Sequence, residues 1–387
     1  MGVSGLLPLL RSVTTEVSLD KYRGCKAGID AHGWMHKAGH FCAKGLLNSP
    51  PDLSALRKLS EWILRRIKMV QHYGITPVLV FDGARLPMKQ TKEASRQMSR
   101  EQSLKKAREI ESSVGSQAAF QYYSKALDIT PFMVWFVIQE LKKEDIDYLV
   151  APYEADAQLA YLEKIGEIDF VVTEDSDFLV YGCKHVLFKL DNGGNVQEIK
   201  LTQHMKEVDA VNFSGWSFEM FQMMCILSGC DYLEGIPGLG IKKSYRLVGE
   251  CKTFDRVMRR LKFDFSVSQD YQDRFAKALL TFRHHTVFDR KSQKLTNLSP
   301  ITEEELVQVN LESSTSLAFL GEDIDSNVLN EIVSGDFDPI SKIPLGFSGN
   351  GFIEPQDQVV KQESLRQISV RSSNHISEAL AKQGKLS

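Results

Sequence analysis

Apolar positions recur along this chain in two distinct patterns. Over Leu53–Tyr73 the residues Leu56, Leu59, Ile63, Ile67 and Val70 return every three or four, which predicts an amphipathic helix stopped at Gly74. The next run, ITPVLVFDG, is short and continuously apolar, as expected of a strand buried on both faces, and it ends in Asp82. Upstream, Lys21–Asp30 (KYRGCKAGID) reads as another strand ending in an acid, followed by a helix with Trp34 and His36. Downstream, Pro131–Lys143 (PFMVWFVIQELKK) predicts a core helix, Ile146–Ala151 a strand, Asp169–Thr173 a buried parallel strand and Ser217–Leu227 a buried helix. A turn at Asp191-Asn192-Gly193-Gly194 closes a hairpin. Strands alternating with helices predict an α/β protein with a mostly parallel central sheet flanked by helices.

The polar positions that interrupt this pattern are acidic. Ala151–Val180 carries Glu154, Asp156, Asp175 and Asp177 in two spaced pairs. Pro152 and the run ADAQLAYLEK predict a helix start, which puts Glu154 and Asp156 at a loop-to-helix junction. Asp175 and Asp177 follow a strand. Residues two apart in an extended chain share a side, so both should face one way at the strand's C-terminal edge, where open α/β sheets bind ligands. Two like charges 4 Å apart repel by about 4 kcal/mol at an effective dielectric near 20. A cluster therefore requires a counter-ion or raised pKa values. Oxygen-only ligands suit a hard cation such as Mg2+ or Mn2+. Taken as single pairs, solvated cap and turn residues explain these acids at least as well.

Composition narrows the picture. A chain of 387 residues holds one large α/β domain with an appendage, or two domains. A formal net charge of -3 gives no general attraction for nucleic acid, so any basic surface is local. Six cysteines without a C-x-x-C pair point to a reduced, intracellular compartment. No run approaches the roughly 20 apolar residues of a membrane span, and no secretory leader is expected. Leu6 stands where a myristoylation signal wants Ser or Thr.

One local basic surface is Arg85–Glu109, where Lys89, Lys92, Arg96 and Arg100 recur on one helical face. A solvated amphipathic helix would have the same composition; the position directly after Asp82 favours a track for phosphates. Helix is expected to continue over Ile110–Leu127. The run Gly235-Ile236-Pro237-Gly238-Leu239-Gly240-Ile241-Lys242-Lys243 could bring backbone amides to a phosphate, or could be a tight turn between packed helices. Phe254–Arg290 reads as helical. From about Ser299 the chain turns acidic, and Gln356–Ser387 is expected to be disordered.

Taken together, MGVSGLLPLL, IDAHGWMHK, VFDG, APYEADAQLAYL, TEDSD and ILSGCDYLEGIPGLG resemble the flap-endonuclease family of structure-specific 5′ nucleases, over roughly Met1 to Arg290. The resemblance implies a PIN-like nuclease core with a helical arch and a helix–two-turn–helix element. It divides the chain into a nuclease region in two parts (1–84 and 131–230), an arch (85–130), the helix–two-turn–helix and following helices (225–290), and a C-terminal extension (300–387). It implies two Mg2+ ions, with Mn2+ as a substitute, on Asp30, Asp82, Glu154, Asp156, Asp175, Asp177 and Asp231. Lys89 and Arg96 match two catalytic cations. Gly2, His36, Arg100, Gly238, Gly240, Lys242 and Lys243 match DNA-contacting positions, and the helix–two-turn–helix would hold K+. The implied activity is Mg2+-dependent 5′→3′ exonuclease and 5′ flap endonuclease action in DNA repair and recombination. The implied substrates are nicked, gapped, recessed or 5′-flapped duplexes, met by a nuclear monomer with mismatch-repair proteins as partners. A DNA-end binder that does not cut is the alternative. One departure is His32, where such enzymes often carry Tyr, which leaves stacking of a base beside the metals open.

Overall fold

Seven strands build one sheet in the order β1-β7-β6-β5-β2-β3-β4. They are β1 Thr15–Ser18, β2 Lys26–Asp30, β3 Thr76–Phe81, β4 Asp147–Val150, β5 Phe170–Thr173, β6 His185–Phe188 and β7 Asn195–Lys200. The computed structural model describes residues 2–201, 211–308, 317–348 and 351–353. Disorder expected over Gln356–Ser387 lies outside them. The pairs β2–β3, β2–β5, β3–β4 and β5–β6 are parallel, and β6–β7 and β1–β7 antiparallel. The mostly parallel α/β sheet expected from the apolar runs is therefore present, with an antiparallel edge.

Chain order makes a crevice. From β2 the chain steps outward to β3 and β4, then returns to the other side of β2 for β5 and β6. Such a reversal opens the sheet at the carboxyl ends of its central strands. Helices Ala31–His40, Leu53–His72 and Pro131–Lys143 pack together as one layer against β3 and β4. Ala155–Lys164 crosses β2, β3 and β5 in a second layer with Asp177–Tyr181, Phe218–Ser228 and Gln269–His284. The amphipathic reading of Leu53–Tyr73 holds: Leu56, Leu59, Ile63, Ile67 and Val70 are all buried.

Several boundaries differ from the sequence reading. Lys21 and Tyr22 belong to a short 3-10 turn and only Lys26–Asp30 is strand, because Gly24 adopts φ +84 and turns the chain. Pro152 does not open its helix, which begins at Ala155. The basic helix Gln90–Ser113 stops at Gly115, whose φ of +115 separates it from Ser116–Ala126. Phe254–Arg290 divides into helices Phe254–Phe265 and Gln269–His284 and a strand, Thr286–Asp289, hairpinned to Lys294–Asn297. Helix periodicity fades at the β-branched and aromatic run Thr286-Val287-Phe288, which suits a strand.

The part of the C-terminal extension that is described is folded. A 3-10 turn, Ala318–Leu320, packs on Gln269–His284 and on the turn Pro87–Lys89. Helix Ser326–Val333 lies against β4, where the Tyr148 hydroxyl donates to the Ser334 carbonyl at 2.9 Å. All six cysteines are free thiols. No helix among the described residues is long and apolar enough to cross a membrane.

Candidate active site

Four parallel strands deliver acids to one edge of the sheet. Asp30 ends β2 and Asp82 follows β3. Glu154 and Asp156 come after β4, at the first helical turn, and Asp175 and Asp177 come after β5. Asp231 arrives from the turn beyond Phe218–Ser228. The local chain explains each placement. Asp30 caps the helix that follows it, accepting the Gly33 N–H at 3.1 Å, and takes the Thr173 hydroxyl at 2.9 Å. Asp82 accepts the Ala155 N–H at 2.8 Å. That bond depends on Gly83, where an added Cβ would fall 1.9 Å from the Ala151 carbonyl oxygen. Only glycine lets the loops after β3 and β4 lie in contact.

Asp175 and Asp177 do meet, but strand alternation is not the cause. The strand ends at Thr173, and Asp177 opens the helix Asp177–Tyr181. Asp177 donates its backbone N–H to Asp175 Oδ1 at 3.0 Å, and Asp175 donates its own to Thr173 Oγ1 at 3.0 Å. A side-chain-capped turn therefore sets the pair. Gly2 touches both: a Cβ there would lie 2.2 Å from Asp175 Oδ1 and 2.8 Å from Asp177 Oδ1.

The charges act on one another. Burial raises the Asp30 carboxyl to about 6, with repulsion from Asp82 adding to it. Burial also lifts Asp156 well above the usual range, then Asp175, Asp30 and Asp82 push it further. Asp177, 2 % exposed, is raised by burial and then by Asp175 and Asp231. Asp175 is raised by burial too. At Asp231 burial works upward, but Lys89, Arg96 and Lys92 outweigh it and hold the carboxyl well below its usual range.

Cations from the arm after β3 meet these acids. Lys89 Nζ lies 2.9 Å from Glu154 and 3.4 Å from Asp231. Arg96 reaches Asp231 at 2.8 Å, and Lys92 reaches it at 3.2 Å. The basic face thus turns toward the acids, not outward to solvent as a plain amphipathic helix would. Arg100 instead pairs with Asp128 at 3.0 Å, and half-buried His36 lines the same cavity. Burial drives the His36 imidazole down to about 4. Gly238, Gly240, Lys242 and Lys243 are not in this cluster. Gly240 caps the helix Ile241–Cys251, with Lys242 and Lys243 exposed in its first turn.

Sequence reasoning missed three partners. Tyr232 donates to Glu154 at 2.5 Å and Tyr181 at 3.3 Å, and the two hydroxyls also bond each other. Tyr232 follows Asp231 directly, and Tyr181 lies one helical turn beyond Asp177, so both spacings held the signal. Thr173 bonds Asp30 and Asp175 together. His32, the departure from the family pattern, supports the turn after β3. Its Nδ1 accepts the Asp82 N–H at 3.0 Å. The same nitrogen is 3.5 Å from Asp82 Oδ2.

These residues fit divalent cations in charge and chemistry. The donors are all oxygens, as Mg2+ and Mn2+ prefer. Asp177 Oδ1 is buried without a hydrogen-bond partner, and burial raises Asp175 beside it. Among the described residues no three Asp, Glu, His or Cys side chains stand placed to hold a metal ion together; ammonium and guanidinium groups stand against Glu154 and Asp231.

Residues 1–103 match the XPG N-terminal domain and residues 145–231 the XPG I-region. Exonuclease 1 of Arabidopsis thaliana is 37% identical over 89% of this chain and 45% of its own length. The DNA damage-inducible protein DIN7 of Saccharomyces cerevisiae is 33% identical over 78% of this chain and 70% of its own. The catalytic core of Rad2 in complex with DNA substrate has the same fold, with a TM-score of 0.54 at 18% identity over 86% of this chain and 98% of that one. The chain spans between 40% and 58% of the length of the exonuclease relatives it matches first. With both XPG regions in order and the DIN7 likeness covering most of each protein, the chain belongs to the XPG, or flap-endonuclease, family of structure-specific 5′ nucleases, and within it is similar to exonuclease 1.

Proposed function

We propose that this protein is a Mg2+-dependent 5′→3′ exonuclease on double-stranded DNA that also cuts 5′ flaps. The observation that carries the reading is the set of carboxylates from four strand ends and one turn, of which Asp30, Asp156 and Asp177 are raised by burial and then by neighbouring acids, with Lys89 and Arg96 set against Glu154 and Asp231. Asp156, Asp175 and Asp177 would be the stronger metal anchors, with Asp30, Asp82, Glu154 and Asp231 holding further ligand positions. Two Mg2+ or Mn2+ ions bound there would supply Lewis acidity and an activated water for in-line phosphodiester hydrolysis.

The chain's own residues do the rest. Tyr181 and Tyr232 hold one oxygen of Glu154 in place. Lys89, fixed between Glu154 and Asp231, offsets charge that develops on the scissile phosphate, and Arg96 does so from about two helical turns further on. Residues 85–130 act as the arch and 225–290 as the helix–two-turn–helix, where Gly238, Gly240, Lys242 and Lys243 meet duplex phosphates and backbone oxygens hold K+. Such contacts are indifferent to sequence and weaken with salt. The terminal nucleotide must unpair to reach the acids, at a cost of a few kcal/mol. A nuclear monomer acting in mismatch repair, end resection and recombination is the setting this chemistry fits.

End-labelled duplexes bearing a nick, a recessed end or a 5′ flap, with and without Mg2+, test the reading. Metal-dependent release of 5′ nucleotides is expected. Tight binding with no cleavage in any metal would support the non-cutting DNA-end binder instead.

A further inference from the structure

A cavity of about 630 Å³ opens beside the acids. Its lining includes the basic side chains Lys89, Arg96 and Arg100. It also includes apolar residues from the far end of the chain: Phe337, Pro339, Ile340 and Leu345. Nothing in the motifs near the acids foretold that the C-terminal extension would reach them.

The apolar side is a built surface. Asp338, 4 % exposed, organises a turn: its Oδ1 accepts the Ile340 N–H at 2.8 Å and its Oδ2 accepts the Ser341 hydroxyl at 2.9 Å. Its backbone closes the loop, with the Asp338 N–H donating to the Ile343 carbonyl at 2.9 Å and the Lys342 N–H to the Asp338 carbonyl at 2.8 Å. Phe337 bridges to Pro344, and Lys142 ties the segment down through Asp336 at 2.8 Å. Ile340 stands at the tip, beside the buried Pro339. Ile340 is 51 % exposed although the Asp338 bonds hold its turn in place. An ordered turn that keeps an isoleucine in the open, in a cavity that basic side chains also line, suits a ligand with an apolar face and anionic links.

We propose that Phe337, Ile340 and Leu345 form a seat for a base of the unpaired 5′ strand, single-stranded DNA, as it leaves the acids. Arg85 and Lys125 line the same cavity and make no ion pair among the described residues, so they are cations open to the adjoining phosphate. Single strands are held without regard to sequence where bases lie on aromatic side chains beside cations, and Phe337 is the aromatic member of this seat. The occupant follows from charge complementarity and from continuity with the cluster of acids, and the proposal rests on the nuclease reading above.

The test uses the full chain and a duplex with a short 5′ flap carrying 4-thiothymidine in the unpaired strand, in EDTA so that nothing is cut. Irradiation is expected to cross-link residues 337–345 from the unpaired position and not from a paired one. With Mg2+, Ile340→Ser is expected to raise KM for the flapped substrate about fivefold, as for one lost apolar contact. Ile340→Trp is expected to lower KM, and affinity for fully paired duplex stays unchanged in both. Cross-links confined to residues 85–128 would overturn the seat, as would equal weakening on paired and flapped DNA. Failure of the nuclease reading looks different: wild-type protein would cut nothing in any metal, while the cross-link would still report the seat.

Discussion

Two buried acid sites sit in the same sheet and behave oppositely. Glu198, on β7 at the antiparallel edge, is 4 % exposed and surrounded. Lys21 at 2.7 Å, the Tyr22 hydroxyl at 2.6 Å, His185 at 2.7 Å and Lys200 at 3.0 Å all meet its carboxylate. Burial works upward there, but the bonds from Lys21, Tyr22 and Lys200 prevail and bring it down to about 2. At the carboxyl ends of β2, β4 and β5, by contrast, Asp30, Asp156 and Asp177 are raised, and one Asp177 oxygen has no partner. Burial alone does not distinguish the two. A site whose acids are fully paired is finished as a protein structure, while one that gathers like charges would be completed by a cation from outside.

This contrast can be broken most sharply by removing one acid from each site. Asp177→Ala is expected to keep the fold and DNA binding but cut turnover by roughly a thousandfold or more, the scale of several kcal/mol of lost transition-state stabilisation; near wild-type nicking would sink the metal-site reading. Lys89→Ala should lower turnover by about a hundredfold with a smaller change in Kd, as for a cation acting on the transition state. An unchanged rate with much weaker binding would make Lys89 a DNA anchor only. Glu198→Ala should do the reverse of Asp177→Ala, destabilising by about 2–3 kcal/mol in denaturant melts, less than a fully buried pair because Lys21 and Lys200 reach solvent.

The pH response should separate the sites further. Asp30 keeps its proton to about 6 when folded, against 3.8 as a free side chain, so the unfolded state binds fewer protons in that window. Metal-free stability from this group therefore falls as pH rises from about 4 to 6. Glu198 contributes above 4.5 and loses that contribution as pH falls toward 2. Mn2+ should accordingly raise Tm more at pH 7.5 than at pH 5, and equal shifts would argue that the acids do not hold it. The smallest effect is expected farthest away. Lys242→Ala with Lys243→Ala should reduce the salt slope of duplex affinity by roughly one per lysine, with turnover at saturation retained.

Much of the fold was legible in the chain because apolar runs report burial directly. Leu56, Leu59, Ile63, Ile67 and Val70 mark one helix face, and continuous runs before Asp82 and Asp175 mark strands with no solvent face. Six of the acids were legible because they end or follow strands, and Asp231 because it follows the buried helix Phe218–Ser228. Their number and order in motifs, not any single pair, carried the resemblance. Tyr181 and Tyr232 were not legible, since a tyrosine in an apolar context is ordinary until a carboxylate is found against its hydroxyl. The route by which Asp175 meets Asp177 was misread, because a capped turn and an extended strand both bring residues two apart together.

Sequence by itself determined the elements, the acid at each strand end and the family, since these depend on neighbours within a few residues and on motifs kept in order. Tertiary structure alone decided which charges share a pocket, that Lys89 and Arg96 face acids and not solvent, and that residues 337–345 return to wall the cavity. Those contacts join positions far apart in the chain, and nothing in local periodicity encodes the order in which strands lie side by side.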